Sequence, residues 1–265
     1  MEVKNKIGFL SSGIGQKLTM ALTGIFLCVF LIVHLVGNFQ LFHHDAGLAF
    51  NEYAVFMTTF PPIKFVSYGL YAMIIWHAFK GLHLAYKNSK ARPVKYNVEK
   101  ASANSPWASR NMGILGTVIL VFIVTHMTNF WAEYKFGHIP YTKYEVSLID
   151  GTQTAAAYDG TIKDKKLEYF TNDNTTRVVI VKDLYKEVAE EFENIGLVLL
   201  YVLAMAALAF HLVHGFQSAF QTVGFNHNRY TKTIQFIGVY VFGIAIPIAF
   251  AAMPLYFYLL SIELI

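Results

Sequence analysis

Residues 18–42 read LTMALTGIFLCVFLIVHLVGNFQLF, 25 positions without an acid, a lysine or an arginine. A bilayer core about 30 Å thick needs roughly 20 predominantly apolar residues of helix to cross it, and this run supplies them. Four further runs follow at residues 65–86, 111–131, 194–225 and 233–262, with Lys80 the single charge in the second. A lysine so near the end of a span can snorkel to the headgroups. The reading is an all-α integral membrane protein of five transmembrane helices. Helices 1–3 fall in residues 1–132, an insertion fills 133–193, and helices 4 and 5 fill 194–265. Pro247 and Pro254 are expected to kink the fifth. The first run, too long for a signal peptide and without a small-residue cleavage site, reads as a retained anchor.

Composition agrees. Hydrophobic residues make up 55% of the 265 and charged residues 14%, whereas a soluble domain averages about 25% charged. A net charge of +4 is too small to argue for nucleic acid. The absence of any Walker-type or G-x-G-x-x-G loop removes phosphate and dinucleotide chemistry. One cysteine, Cys28, excludes a disulfide framework, a cysteine zinc site, an iron–sulfur cluster held by this chain and c-type heme attachment.

Lysines and arginines orient the spans, since short cytoplasmic links keep the positive excess. Lys4, Lys6 and Lys17 precede the first; Lys87, Lys90, Arg92, Lys95, Lys100 and Arg110 lie between the second and third; Arg229 and Lys232 lie between the fourth and fifth. The amino terminus is therefore expected inside and the carboxyl terminus outside. The link 132–193 breaks this pattern, with 12 of the 17 acids beside eight lysines and arginines. Asp150-Gly151 and Asp159-Gly160 signal turns, 178–181 a short strand and 182–193 a helix, so the link reads as a small folded outer-side insertion.

Four of the ten histidines fall within spans: His34, His77, His126 and His214. At about 1.5 Å of rise per residue, His34 and His126 come about 25 Å outward from Lys17 and Arg110, near the outer face, while His77 and His214 come near the inner face. Two pairs at two depths are what bis-histidine ligation of two b-type hemes requires, one imidazole from each of two helices per iron. Gly24 and Gly116 precede His34 and His126 by ten residues, about 15 Å, and so lie at the level of the other pair. There a missing side chain lets a porphyrin approach the backbone, although close helix packing explains the same glycines. His211, one turn before His214, is the rival fourth ligand, and Gly215 offers room for a ring. His83 and Lys80, with Lys17, Lys87 and Arg92, are cations or near-cations on the inner side that suit heme propionates or headgroups. His43, His44, His138 and His227 belong to links.

The run Met20-Ala-Leu-Thr-Gly24 with Val33-His34, then Trp76-His77-Ala-Phe79, Thr125-His126 and Val213-His214-Gly215, resembles the diheme cytochrome b subunit that anchors bacterial succinate dehydrogenase and fumarate reductase. The resemblance covers all five spans and leaves out the insertion. It implies a four-helix heme-binding bundle in the bacterial cytoplasmic membrane, with His77 and His214 on the heme nearer the catalytic subunits and His34 and His126 on the farther one. It implies as partners a flavoprotein with covalent FAD and an iron–sulfur subunit, docked on the inner segment 87–110, and a membrane quinone, menaquinone in the relatives nearest in pattern. Glu52 occupies the outer approach to span two, where the family carries a functional carboxylate, and is the candidate for quinone protonation. Some of these fumarate reductases place a glutamate two residues before the fourth ligand; Leu212 stands there, which points to succinate oxidation. The cytochrome b of a hydrogenase or formate dehydrogenase is an alternative, as is a non-heme transporter with a histidine relay, although no acid lies in any span.

Overall fold

The computed structural model describes residue 8, residues 12–91, residue 103 and residues 105–265. Lys4, Lys6, Arg92, Lys95, Glu99 and Lys100 lie outside the described residues. The chain is mostly helical, with α1 Gly13–Asn38, α2 Leu48–Thr59, α3 Pro61–Lys90, α4 Met112–His126, α5 Leu184–Glu191, α6 Ile195–Thr222, α7 Asn228–Phe236 and α8 Ile246–Ser261. Four helical stretches, Gly13–Phe42, Met112–Phe136, Ile195–Thr222 and Asn228–Ser261, are long and apolar enough to cross a membrane. The run 65–86 lies within α3, an unbroken helix of 30 residues. Ser67, Tyr68, Trp76, His77, Lys80 and His83 keep α3 below the apolarity of the other four.

On α1, Ser12 Oγ accepts from Gly15 N–H at 3.1 Å and so caps the first turn. Ala21, Cys28 and Leu35 are buried, whereas Leu22, Val29 and Val36, each one residue on, are 53–58% exposed. An uncharged apolar stripe left exposed at helical spacing is what a lipid-facing surface needs and what a soluble protein avoids.

Chain segments sort into two compact units. One takes the chain up to Ile32 with Tyr68–Phe122 and Val202–Ala251; the other takes Val33–Ser67, Ile123–Tyr201 and Ala252–Ile265. In the first, the C-terminal half of α6 meets a π-helical stretch, Ile237–Ala245, that joins α7 to α8. Gly238 and Gly243 would lie about 140° apart on an α-helix. The i→i+5 winding brings them to nearly one face, where a side chain on Gly238 would press on Phe216 and one on Gly243 on Val213. Phe216 and Phe242 stack there at 4.6 Å. Pro247 follows directly, and its missing N–H falls where the chain has left regular α winding. Pro254 stays inside α8.

The second unit corrects the all-α expectation, because it contains a four-stranded antiparallel sheet ordered β2-β1-β4-β3: β1 Tyr141–Ser147, β2 Gln153–Tyr158, β3 Lys166–Phe170 and β4 Thr176–Lys182. β4 carries the strand read at 178–181. The other three carry lysines, glutamates and a run of alanines, so no apolar alternation announces them. Asp150-Gly151 turns β1 into β2, with Gly151 at φ +71°. The core of the insertion is also not made of its own residues alone. α2, from the link before span two, lays Leu48 and Val55 against Tyr144, Val179 and Val181. Gly47 caps the start of α2; its φ of +88° suits glycine and its bare Cα accommodates the Tyr185 ring.

A buried polar cluster joins these pieces. Asn51, 0% exposed, donates from Nδ2 to Tyr144 Oη at 3.1 Å and to Asp183 Oδ1 at 2.8 Å, and its Oδ1 accepts from Tyr185 N–H at 2.9 Å. Asp183 also caps α5, accepting from Lys186 N–H at 3.0 Å. Burial and the Asp183 charge hold the Tyr144 phenol above its ordinary pKa; its hydroxyl donates to Ala46 O at 2.9 Å.

On the sheet surface, Arg177 and Lys166 each reach both Glu168 and Glu52 at 2.5–2.7 Å. Arg177 first, then Lys166, holds the Glu168 carboxyl down from 4.5 to about 2. A depressed carboxyl stabilises the fold above its unfolded pKa and loses that contribution as it protonates. Resistance of the insertion to an acid-tolerant protease is therefore expected to hold at pH 5 and to fall between pH 4.5 and about 2. Glu168→Gln should remove that part of the pH dependence, and an unchanged profile would detach Glu168 from it.

Candidate functional site

Each unit holds one pair of facing imidazoles. In the first, His77 on α3 and His211 on α6 have ring centroids 6.3 Å apart with planes at 68°. Thr23 on α1 fixes His77. The Thr23 hydroxyl oxygen lies 2.8 Å from Thr19 O and 2.9 Å from His77 Nδ1. This contact orients the His77 ring through Nδ1 and leaves Nε2 outside it, as a metal-ligating histidine is oriented by its other nitrogen. His211 Nδ1 is buried and has no hydrogen-bond partner among the described residues.

Two glycines border these rings. A Cβ on Gly24 would sit 3.5 Å from His77 Cε1, and one on Gly116 would sit 3.9 Å from His211 Cε1. Both are ordinary contact distances for a methyl group, and a longer side chain would enter the space beside the imidazoles. Gly24→Ala is therefore expected to leave this site intact, while Gly24→Leu should abolish whatever binds between His77 and His211 and spare the other pair. Equal behaviour of the two variants would count against a site at Gly24.

In the second unit, His34 at the end of α1 faces His126, the last residue of α4, with centroids 5.8 Å apart and planes at 79°. Asn38, one turn beyond His34, places Nδ2 3.2 Å from His34 Nδ1 and donates to His34 O at 2.7 Å. The Tyr201 hydroxyl lies 3.2 Å from His126 Nδ1. A π-helical stretch, Met127–Ala132, begins directly after His126. It sets Phe130 against His126 at 5.4 Å and against Tyr201 at 6.4 Å, while Phe192 closes on Tyr201 at 5.1 Å.

The spacing can be tested against a metal between the rings. A metal–imidazole bond of about 2.1 Å, plus about 1.1 Å from nitrogen to ring centre, puts two trans imidazoles about 6.4 Å apart. The observed 6.3 and 5.8 Å stand at and just inside that value. The buried nitrogen of His211 points the same way, since an unmade buried hydrogen bond costs roughly 1–3 kcal/mol that a bound group can offset. These residues fit heme, which would be held by His77 with His211 and by His34 with His126. Among the described residues no cluster of three or more His, Cys, Asp or Glu could hold a bare metal ion.

Other candidate residues lie elsewhere. His214 is half-buried, and among the described residues no imidazole pairs with it; the ring facing His77 is that of His211. Lys80 Nζ stands 4.9 Å over the Trp76 ring, and exposed His83 stacks on Phe79 at 6.3 Å. Glu52 Oε1 accepts from Lys166 Nζ and Arg177 Nη2, each at 2.5 Å, tying α2 to β3 and β4. Leu212, where the resembled family can carry glutamate, is buried. Thr23, Asn38 and Tyr201 were not singled out from sequence. Thr23 and Asn38 carried a signal, the first one residue before Gly24 and the second one helical turn after His34; Tyr201 had none. No family model, curated protein or solved structure matches the chain.

Proposed function

We propose that this chain is the membrane-anchoring cytochrome b subunit of a succinate:quinone oxidoreductase, carrying two b-type hemes between an iron–sulfur partner and membrane quinone. The observation that supports this most is the pair of imidazole couples, His77 with His211 and His34 with His126, with ring centroids 6.3 and 5.8 Å apart, each of which could hold one heme between its two rings. In this reading α3 is the fifth span, and the amino terminus and the segment 87–110 face the cytoplasm, where the flavoprotein and iron–sulfur subunits dock.

Heme supplies one-electron redox chemistry; the rest is what this chain does around it. Thr23 and Tyr201 hold His77 and His126 by their Nδ1 atoms, which keeps Nε2 directed for ligation and raises its basicity. Gly24 and Gly116 keep side chains away from the first pair. Phe130, Phe192 and Tyr201 pack around the second and exclude water from it. Quinone meets the His34–His126 end. Glu52, held by two cations, serves there to fix α2 on the sheet; proton exchange with quinone is its alternative role. Buried Leu212 offers no carboxylate for a proton route across the membrane, which favours succinate oxidation as the working direction.

A reduced-minus-oxidised spectrum of the purified protein should show b-type bands for two hemes per chain, and affinity purification should bring down a large flavin-containing polypeptide. Absence of heme bands would refute the electron-carrier reading. Heme without the flavoprotein would shift the assignment to the cytochrome b of another membrane oxidoreductase, of hydrogenase or formate dehydrogenase type.

A further inference from the structure

Cations of the sheet-bearing unit fall into two sets. Lys143, Lys166, Arg177 and Lys186 each reach a carboxylate within 4 Å. Among the described residues, Lys64, Lys135, Lys163, Lys165 and Lys182 reach none, and all of these but exposed Lys163 gather where the apolar stretch Met112–Phe136 ends. Lys165 Nζ is 4.4 Å and Lys182 Nζ 5.4 Å from the centre of one ring, that of buried Tyr134. Lys135 Nζ stands 5.0 Å over Trp131 and 5.4 Å over Phe136.

Lys182 has a structural task, since it donates to Tyr134 O at 2.8 Å and to Gly137 O at 3.5 Å, the carbonyls left open at the helix end. No such task explains Lys165, Lys135 or Lys64. Burial first, then the charges of Lys182, Lys64 and Lys135, pulls the Lys165 ammonium below its ordinary pKa, so the four repel one another as they stand. Glu133, near Lys182 and against Gly137, is the carboxylate facing the group. Glu187 and Glu191 lie near Glu133 in turn, and among the described residues no carboxylate forms an ion pair with any of the four lysines.

We propose that Lys64, Lys135, Lys165 and Lys182 bind the headgroup phosphate of an anionic phospholipid at this end of the Met112–Phe136 helix. Charge complementarity selects an anion, and position selects a lipid. Trp131 and the 70%-exposed Phe136 are the aromatic residues that settle at a headgroup boundary, and 60%-exposed Val124 continues the apolar surface towards the acyl chains. The proposal rests on this helix crossing a membrane. It requires neither heme nor quinone.

The test uses the full-length protein in neutral detergent, stripped of lipid and titrated with phosphatidylglycerol or phosphatidylcholine under native mass spectrometry. Wild type should retain phosphatidylglycerol selectively, and Lys135→Gln/Lys165→Gln should weaken that retention about 10- to 30-fold. Lys143→Gln/Lys186→Gln, which removes the same charge from ion-paired positions, should leave it unchanged. Millimolar inorganic phosphate should not displace the lipid. Equal retention by all three proteins, equal loss in both double variants, or displacement by free phosphate would overturn the proposal. If the first double variant does not fold, Lys135→Gln alone, on an exposed residue, carries the comparison. A protein that stays monodisperse without detergent would instead show that the membrane reading had failed.

Discussion

If the chain carries the two hemes proposed, purified His211→Leu protein is expected to show about half the heme absorbance of wild type, while His214→Leu keeps all of it. The two histidines are three residues apart on α6, about 60° around the helix axis, and both are within reach of an iron by depth alone. What separates them is packing. The His211 ring lies 6.3 Å from His77 and carries the buried nitrogen without a partner. His77 and His211 would hold that heme together, so loss of either imidazole should be an all-or-none effect on it. His77→Leu should remove the same heme as His211→Leu, and the double variant should lose no more than either single one, since residues acting on one bound group are not additive. His34→Leu and His126→Leu should remove the other. If His214→Leu loses a heme and His211→Leu does not, the fourth ligand is His214 and the ring contact with His77 is ordinary packing.

The second large effect falls on the sheet-bearing unit. Asn51→Leu keeps roughly the volume but removes the donors to Tyr144 and Asp183 and the acceptor for Tyr185 N–H. A backbone N–H left unmet inside a protein costs roughly 1–3 kcal/mol, and a buried carboxylate losing a donor costs about as much again. The sum, about 2–6 kcal/mol, is a large share of the 5–15 kcal/mol that typically holds a domain together. Asn51→Leu is therefore expected to expose residues 137–193 to limited proteolysis at a rate about thirtyfold or more above wild type. Thr142→Val, which removes the one hydrogen bond to Asp183 Oδ2 at 2.5 Å, should cost only about 1 kcal/mol. Indistinguishable digestion of Asn51→Leu and wild type would mean that apolar contacts around Tyr144 and Val179 hold α2 on the sheet without the polar cluster.

Much of this molecule is legible from sequence because its strongest signals are local. A charge-free run long enough to cross a bilayer marks its helix wherever it lies, and the four spanning stretches begin and end within a few residues of those runs. α3 is the exception that shows the limit: its helix was readable, but its polar and aromatic residues weaken the hydropathy on which a membrane assignment depends. Turn chemistry at Asp150-Gly151 and the apolar run of β4 were readable for the same local reason. β2, with its alanines, and β3, with its alternating charges, were not, because their pairing with β1 and β4 supplies the stability that their own residues do not announce.

By itself the sequence determined that apolar helices dominate, that histidines sit within them, and that Gly24 and Gly116 recur ten residues before two of those histidines. Each of these follows from residue type and from a fixed rise per residue. Only the tertiary structure decided that His211 rather than His214 faces His77, that Thr23 and Tyr201 hold two of the imidazoles, that Asn51 fastens α2 beneath a sheet more than 90 residues away, and that some lysines are neutralised while four are left together beside Tyr134. The reason is physical. A helix tells its residues apart by angle only to within the width of a side chain, and an ion pair or hydrogen bond between distant segments depends on where the chain returns, which no local pattern encodes.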